Sequence, residues 1–349
     1  MTSSTRMTSS TPVSVVVPVY NGSPHLRECL LALEPGPASE LIVVDDASTD
    51  DSAAVALAVG ARVVRFNRRR GPAAARNAGA GEAQGEILFF VDADVVVAPE
   101  AIGRLLRTFA ARPDVSAVFG SYDAAPRAPG VVSRFRNLLH HFVHQHANPD
   151  AFTFWAGCGA VRRSAFWAVG GFDEARYARP SIEDIELGHR LRHAGHRILL
   201  DKGLQGTHLK RWTLCSLVRT DVLYRGLPWS RLLIQTGIVP DDLNLRWDQR
   251  ASVVLISIAA LALPLSLLQP GWLVLAIGAF LGVIVLNRAL YAFFRERHGF
   301  LFAVAGIGLH ALHYLCGAAA GAFAVAESQI RPLVARVARS LRRPGAVRP

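Results

Sequence analysis

Charge is what this sequence has least of: Asp, Glu, Lys and Arg together make up only 19% of its 349 residues, and the mean hydropathy is +0.27. A chain that exposes all its helices to water needs more charge than that, so part of this one is expected to sit in a membrane. The scarcity is local. Residues 251–286 contain no Asp, Glu, Lys or Arg, and Gln269-Pro270-Gly271 falls in the middle. The stretch therefore reads as two spans of roughly 18 residues joined by a tight turn. Residues 300–326 are also uncharged and long enough for a third span, although His310 and His313 lie within them. Cysteine is scarce too. Cys29, Cys158, Cys215 and Cys316 are far apart and form no CxxC, which excludes a disulfide framework and a zinc ribbon and implies a reducing compartment. The first twelve residues, MTSSTRMTSSTP, lack the apolar core of a secretory signal; they read as a disordered leader in which Met7 is an alternative start. GxGxxG is missing after the first strand-like run, where VPVYNGSPHL stands instead, so a nicotinamide or flavin Rossmann site is excluded.

The net charge of +11 raises nucleic acid as a partner. Its distribution argues against that. Six arginines lie in the tail, residues 327–349, and Arg246, Arg250, Arg288, Arg295 and Arg297 flank the apolar stretches. Such placement suits anionic lipid headgroups, so membrane lipids are expected as partners and nucleic acid is not.

Through the first half, strand-like runs (residues 13–20, 41–45, 62–67, 87–91 and 115–120) alternate with helix-like ones (25–33, 51–59, 72–83 and 99–111). That is the pattern of βαβ units in a Rossmann-like, mostly parallel sheet. Two of these strands end in acid: VVDDASTDDSA carries Asp45 and Asp46, and ILFFVDADVVV carries Asp92 and Asp94. Ligands of open α/β sheets bind beyond the carboxyl ends of the strands, so these four carboxylates are expected around one crevice. Ser48, Asp50 and Asp51 are also explained as turn and helix-cap residues. Asp92-Ala93-Asp94 is not, because an apolar run resumes at once. Carboxylates spaced i, i+2 on a turn suit a hard divalent cation, Mg²⁺ or Mn²⁺, which in turn neutralises a diphosphate.

In order along the chain, VSVVVPVYNG, IVVDDASTD, GPAAARNAGA, FFVDADVVV, AGCGAVRRSAFWAVGGFDE and IEDIELGHRLRHAGHRILL together resemble glycosyltransferase family 2. The resemblance covers residues 13–212. It implies a GT-A fold and a metal-dependent, inverting transfer of sugar from a nucleotide-diphosphate donor. By motif position it puts Pro18, Tyr20 and Asn21 at the nucleoside and Asp45 or Asp46 at the base or ribose. Arg76 would lie near the base or diphosphate, Asp92 at ribose or metal, and Asp94 on the metal. Inversion needs a base on the face opposite the leaving diphosphate. In SIEDIEL, Ser181 reads as an N-cap, and the family pattern assigns the base to Asp184 with Glu183 beside it. Processive members carry Gln-x-x-Arg-Trp where this chain has His208-Leu209-Lys210-Arg211-Trp212. The departure implies a single addition and makes His208 a metal or diphosphate contact.

The histidines of LLHHFVHQHAN (138–148) read as part of an amphipathic acceptor-side helix at the interface, since no third zinc ligand is visible. Residues 213–250 read as an interfacial amphipathic linker, followed by two to three transmembrane helices within 251–326 and the basic tail. Nucleotide sugars are cytosolic. The expectation is thus a multi-pass protein of the inner membrane with its catalytic domain in the cytoplasm, acting on a lipid or glycan acceptor. A processive synthase and a catalytically dead scaffold are the alternatives.

Overall fold

The computed structural model describes residues 13–33 and 39–341, with side chains through Arg331. The leader and the end of the basic tail lie outside the described residues. The chain divides into two compact units, residues 1–212 and 213–349.

The first unit is built on one nine-stranded sheet: β1 (Val13–Val19), β2 (Ser39–Asp45), β3 (Arg62–Arg65), β4 (Ile87–Val91), β5 (Val95–Val97), β6 (Val115–Tyr122), β7 (Asp150–Ala151), β8 (Cys158–Arg162) and β9 (Arg197–His208). The order is β3-β2-β1-β4-β8-β6-β9-β5, with β7 on β9. From β3 to β4 all pairs are parallel, as the alternation of elements predicts. Beyond β4 the sheet is mixed: β8 runs antiparallel to both neighbours and β6 pairs parallel with β9. Helices α1 (Ser23–Leu31), α2 (Ser52–Ala58), α3 (Pro72–Glu82), α4 (Ala101–Ala111), α5 (Val131–His146), α6 (Arg163–Ala168) and α7 (Glu183–His193) complete the unit.

Valines at alternating positions of β1 split its two faces. Val13, Val15, Val17 and Val19 join one core with Leu26 and Leu30 of α1 and Phe89 and Val91 of β4. Val16 faces α3, where a Cβ on Gly79 would collide with it. The run of Ala and Gly in α3 lets that helix lie directly on the sheet. Gly71, at φ +93°, sits so close to the Ala178 carbonyl that no side chain fits; Pro72 then starts α3 with its fixed φ.

The histidine-rich helix α5 corrects the expectation of an interfacial element. His144 is buried with Nδ1 2.9 Å from the Gly120 carbonyl, and His141 Nδ1 lies 2.8 Å from that of Tyr122. Gln145 Nε2 donates to Ser121 Oγ and to the Lys202 carbonyl. This face of α5 tiles β6 and β9.

In the second unit, Thr213 and Ser216 form a capping box at the start of α8 (Leu214–Arg219). A π-helical stretch, Thr220–Gly226, leads into α9 (Leu227–Thr236). Pro228 has no N–H to give to the turn before it, so the widening falls directly upstream. Then come α10 (Trp247–Leu265), α11 (Gly271–Leu286), α12 (Arg288–His298) and α13 (Phe300–Leu341). The uncharged 251–286 stretch forms the expected hairpin, turning at residues 266–270. Among the described residues, α10 and the Phe300–Arg331 part of α13 are long and apolar enough to cross a membrane; α11 and α12, bent by 67°, count as a third only if taken together.

Candidate active site

The carboxyl ends of β1, β2 and β4 gather the first set of polar groups. After β1 the chain turns at Asn21 (φ +50°) and after β2 at Ala47 (φ +62°), left-handed conformations that local hydrogen bonds must hold. Asn21 Oδ1 accepts from Thr49 N at 2.9 Å, and its own N–H donates to Ser48 Oγ at 3.0 Å. A shallow cleft lined by Ala47, Ser48, Arg65, Phe66 and Asn67 opens at this edge. Tyr20 is 40% exposed, with the Arg69 guanidinium 3.9 Å above its ring, and Pro18 is half-buried.

Asp45 and Asp46 are both buried, and protein groups engage them. Asp45 Oδ1 accepts from Ser48 N at 2.8 Å and Oδ2 lies 3.1 Å from Arg65 Nε. Asp46 takes Arg70 N on Oδ1 (2.6 Å) and Gly71 N on Oδ2 (2.8 Å). The two residues expected to hold base or ribose brace the loops that shape the cleft.

Arg76 is held between two acids. Embedded in the small-residue face of α3 and 4% exposed, it donates through Nη2 to Asp92 Oδ1 (2.7 Å) and through Nη1 to Glu183 Oε1 (2.9 Å). Burial by itself would lower its pKa, but the charges of Asp92, Glu183 and Asp184 outweigh that and raise it. A guanidinium so occupied clamps the end of β4 to the start of α7. Glu183, 5% exposed, is the other jaw of the clamp, and its Oε2 accepts from Ser181 N. The residue at the cap position is Ile182, one after Ser181.

Asp184 lies in the first turn of α7, with Oδ2 accepting from Ala156 N at 3.1 Å. The neighbouring Gly157 carbonyl accepts from Asp92 N. One short segment before β8 thus touches both acidic elements, and Asp92 and Asp184 border the same region.

Pairing of β5 with β9 sets Val95 opposite His208, and the Asp94 carbonyl accepts from Leu209 N. This register brings His208 Nε2 to 3.5 Å from Asp94 Oδ2. Burial would raise the Asp94 carboxyl, but the hydrogen bond and charge of His208, aided by Lys210 and His25, hold it below the ordinary carboxylate range. Two donors 3.5 Å apart suit one cation at ordinary bond lengths near 2.1 Å. Among the described residues no group of three His, Cys, Asp or Glu forms a complete protein cage, so a cation held by this pair needs further ligands. The pair fits a cation shared with a bound phosphate group.

No local motif announces the aromatic wall behind His208. Its ring stacks on Tyr122 (4.4 Å between centroids, 7° between planes), and Tyr122 in turn meets His140 at 4.2 Å and Trp155 edge-on at 4.9 Å. These residues come from β6, α5 and the segment before β8, and only the fold brings them together.

The sequence pattern of the glycosyl transferase family 2 domain matches residues 14–170. The succinoglycan biosynthesis protein ExoU of Rhizobium meliloti is 38% identical over 108 residues, 29% of this chain and 32% of that protein. An undecaprenyl-phosphate 4-deoxy-4-formamido-L-arabinose transferase of Pseudomonas aeruginosa is 40% identical over 114 residues, 30% of this chain and 34% of its own length. The matched segment thus spans about a third of either relative. Among solved structures, the mannosyltransferase PcManGT from Pyrobaculum calidifontis, in complex with GDP-Man and Mn²⁺, superposes with a TM-score of 0.55 at 20% identity, covering 92% of this chain and 87% of that one. That likeness establishes the GT-A fold. With its strand-end acids, its small-residue α3 and the matched pattern, the chain carries a glycosyl transferase family 2 domain over residues 14–170.

Proposed function

We propose that the protein is an inverting glycosyltransferase that moves one sugar from a nucleotide-diphosphate donor to a membrane-associated acceptor, a lipid or an envelope glycan. The observation that carries this reading is the Arg76 clamp, because it joins the acidic turn after β4 to the first turn of α7. Pro18, Tyr20 and Asn21, at and just after the end of β1, would meet the nucleoside, and Asp45 and Asp46 hold the neighbouring loops in shape. Asp94 and His208 would hold a divalent cation, which when bound supplies charge neutralisation for a departing diphosphate.

Asp184 then acts as the base. In the first turn of α7 the helix dipole favours its ionised form, and the Ala156 N–H fixes one carboxylate oxygen. Its carboxylate accepts the proton of the acceptor hydroxyl as that oxygen attacks the anomeric carbon and the bond to the diphosphate breaks. Arg76 and Glu183 keep the helix start in register with Asp92. The relative named for undecaprenyl phosphate supports a lipid acceptor, and the apolar helices support a multi-pass protein of the cytoplasmic membrane whose catalytic unit faces the cytosol.

The test is release of nucleoside diphosphate from a panel of UDP-, GDP- and dTDP-sugars by the detergent-solubilised protein with Mn²⁺ or Mg²⁺ and a membrane extract. Asp184→Asn should lower kcat by a factor on the order of 10² to 10⁴ while leaving donor binding intact. Unchanged turnover in a folded Asp184→Asn protein would remove Asp184 from the role.

A further inference from the structure

We infer that α13 does not cross the bilayer. It lies in the membrane interface across one end of the α10–α11 hairpin, its bare apolar face toward the lipid chains, so that the hairpin is the only spanning element between residues 213 and 331. The inference concerns topology and does not depend on which sugar is moved.

Direction comes first. Helix α12 turns 67° away from α11, and α13 folds back along α12. Phe294 meets Phe302 at 5.5 Å, His298 meets Phe302 at 5.0 Å, and Tyr291 Oη lies 3.1 Å from His310 Nδ1. Positions fall along one helix as they rise along the other, which is antiparallel packing. The first half of α13 is therefore inclined to the hairpin much as α12 is. If α10 and α11 stand across the membrane, α12 and α13 lie closer to its plane.

The contacts with the hairpin agree. Tyr314 Oη lies 2.9 Å from both Gln249 Oε1 and Asn287 Oδ1, and Tyr314 packs with Ile256 and Val283. Gln249 opens α10 and Asn287 closes α11, so the polar contacts gather at the end opposite the Gln269-Pro270 turn, and the apolar ones reach no further than Ile256 and Phe280, midway along the hairpin. A third span beside the hairpin would be expected to follow it toward the turn.

Charge gives an independent reason. His313 Nδ1 lies 2.7 Å from Asp221 Oδ2, an acid that is itself buried. His310 and His313 fall near the middle of the uncharged stretch, so a crossing helix would carry this pair close to the bilayer centre, where ionisable groups are most costly. In the interface the cost largely disappears. Along the helix Phe300, Leu301, Val304, Phe323 and Val325 are exposed, whereas other positions are covered by α12, by the π-helical stretch and by α9. Arg231 of α9 pairs with Glu327 at 2.7 Å. Lipid chains are the occupant that suits a bare apolar face without charge. This arrangement also keeps Arg331 on the same side as Arg246, Arg250 and Arg288, as the positive-inside rule requires.

Cysteine accessibility in intact spheroplasts tests the inference with the full chain. Cys215 is the exposed native cysteine; Cys29, Cys158 and Cys316 are buried. In a Cys215→Ser background, Gln269→Cys at the hairpin turn and Ser328→Cys near the end of the described helix are each treated with a membrane-impermeant maleimide before and after permeabilisation. The parent protein reports on residue 215. The inference requires residues 215 and 328 to behave alike and residue 269 oppositely. Labelling of Ser328→Cys in step with Gln269→Cys makes α13 a span and overturns it. Labelling of Gln269→Cys in step with Cys215 means that the hairpin does not cross, which overturns it equally. Neither result bears on nucleotide-sugar turnover.

Discussion

Replacing Arg76 with methionine separates the two roles open to this residue. In the structure its guanidinium is buried and joined to Asp92 at 2.7 Å and Glu183 at 2.9 Å. Methionine keeps much of the volume and removes the charge, leaving Glu183 as a buried carboxylate without its cation. Breaking one side of a buried ion pair typically costs about 3–5 kcal/mol. For a unit of this size each kcal/mol lowers Tm by roughly 2–4 °C, so a fall of about 6–20 °C is expected in thermal unfolding of the detergent-solubilised protein. The Arg76→Met/Glu183→Gln double variant should recover part of that loss, because it removes the orphaned charge along with its partner. The coupling read from the double-mutant cycle should be about 1–3 kcal/mol. If Arg76→Met melts within a degree or two of the parent and instead raises the KM for the nucleotide sugar, the guanidinium faces the diphosphate and the clamp is wrong.

His208→Ala should weaken the apparent affinity for Mn²⁺ in a cation titration of donor binding. Tyr122→Leu, which removes the ring on which His208 stacks, should weaken it by about tenfold, the usual size of an orienting effect on a ligand; an unchanged Mn²⁺ midpoint in Tyr122→Leu would mean that the stacking positions nothing. His189 is 2% exposed on α7, and burial, with the charge of His193, lowers its pKa to about 4 from 6.5. The folded state therefore binds fewer protons than the unfolded chain between those values, so stability is lost as pH falls from 6.5 toward 4, by at most about 3 kcal/mol. A His189→Leu variant should show a flatter fall of Tm over that window, and a slope equal to the parent's would exclude the histidine as its source.

Much of the first unit was open to reading because its signals are local. Valine-rich runs ending in Gly, Asn or Asp mark β1, β2 and β4, and the alternation with helices gives the parallel half of the sheet. The mixed half was hidden. β9 carries Asp201, Lys202 and Gly203 in its middle, and its burial alternates with many half-exposed positions, so no apolar run announces it. The histidine-rich helix misled for another reason. Its histidines look like a polar face, yet His141 and His144 meet backbone carbonyls on β6, a use that periodicity does not distinguish from solvent exposure.

The acids themselves show where local reading stops. A carboxylate after a strand can face a ligand, or it can satisfy N–H groups that a tight turn leaves over, and the residues look the same in either case. At Asp46 the second use holds, since both oxygens meet the amides of Arg70 and Gly71. At Asp92 and Asp94 the i, i+2 spacing suggested one shared task, but the two side chains have different partners: Asp92 the guanidinium of Arg76 and Asp94 the ring of His208. The partners stand 16 and 114 positions away in the chain, respectively, so spacing alone does not reveal the division. It follows that the two aspartates should fail differently. Asp94→Asn should act chiefly on cation affinity, whereas Asp92→Asn should loosen the junction with α7 and lower Tm together with turnover. Equal effects of both on the cation titration, with Tm unchanged, would restore the single shared task.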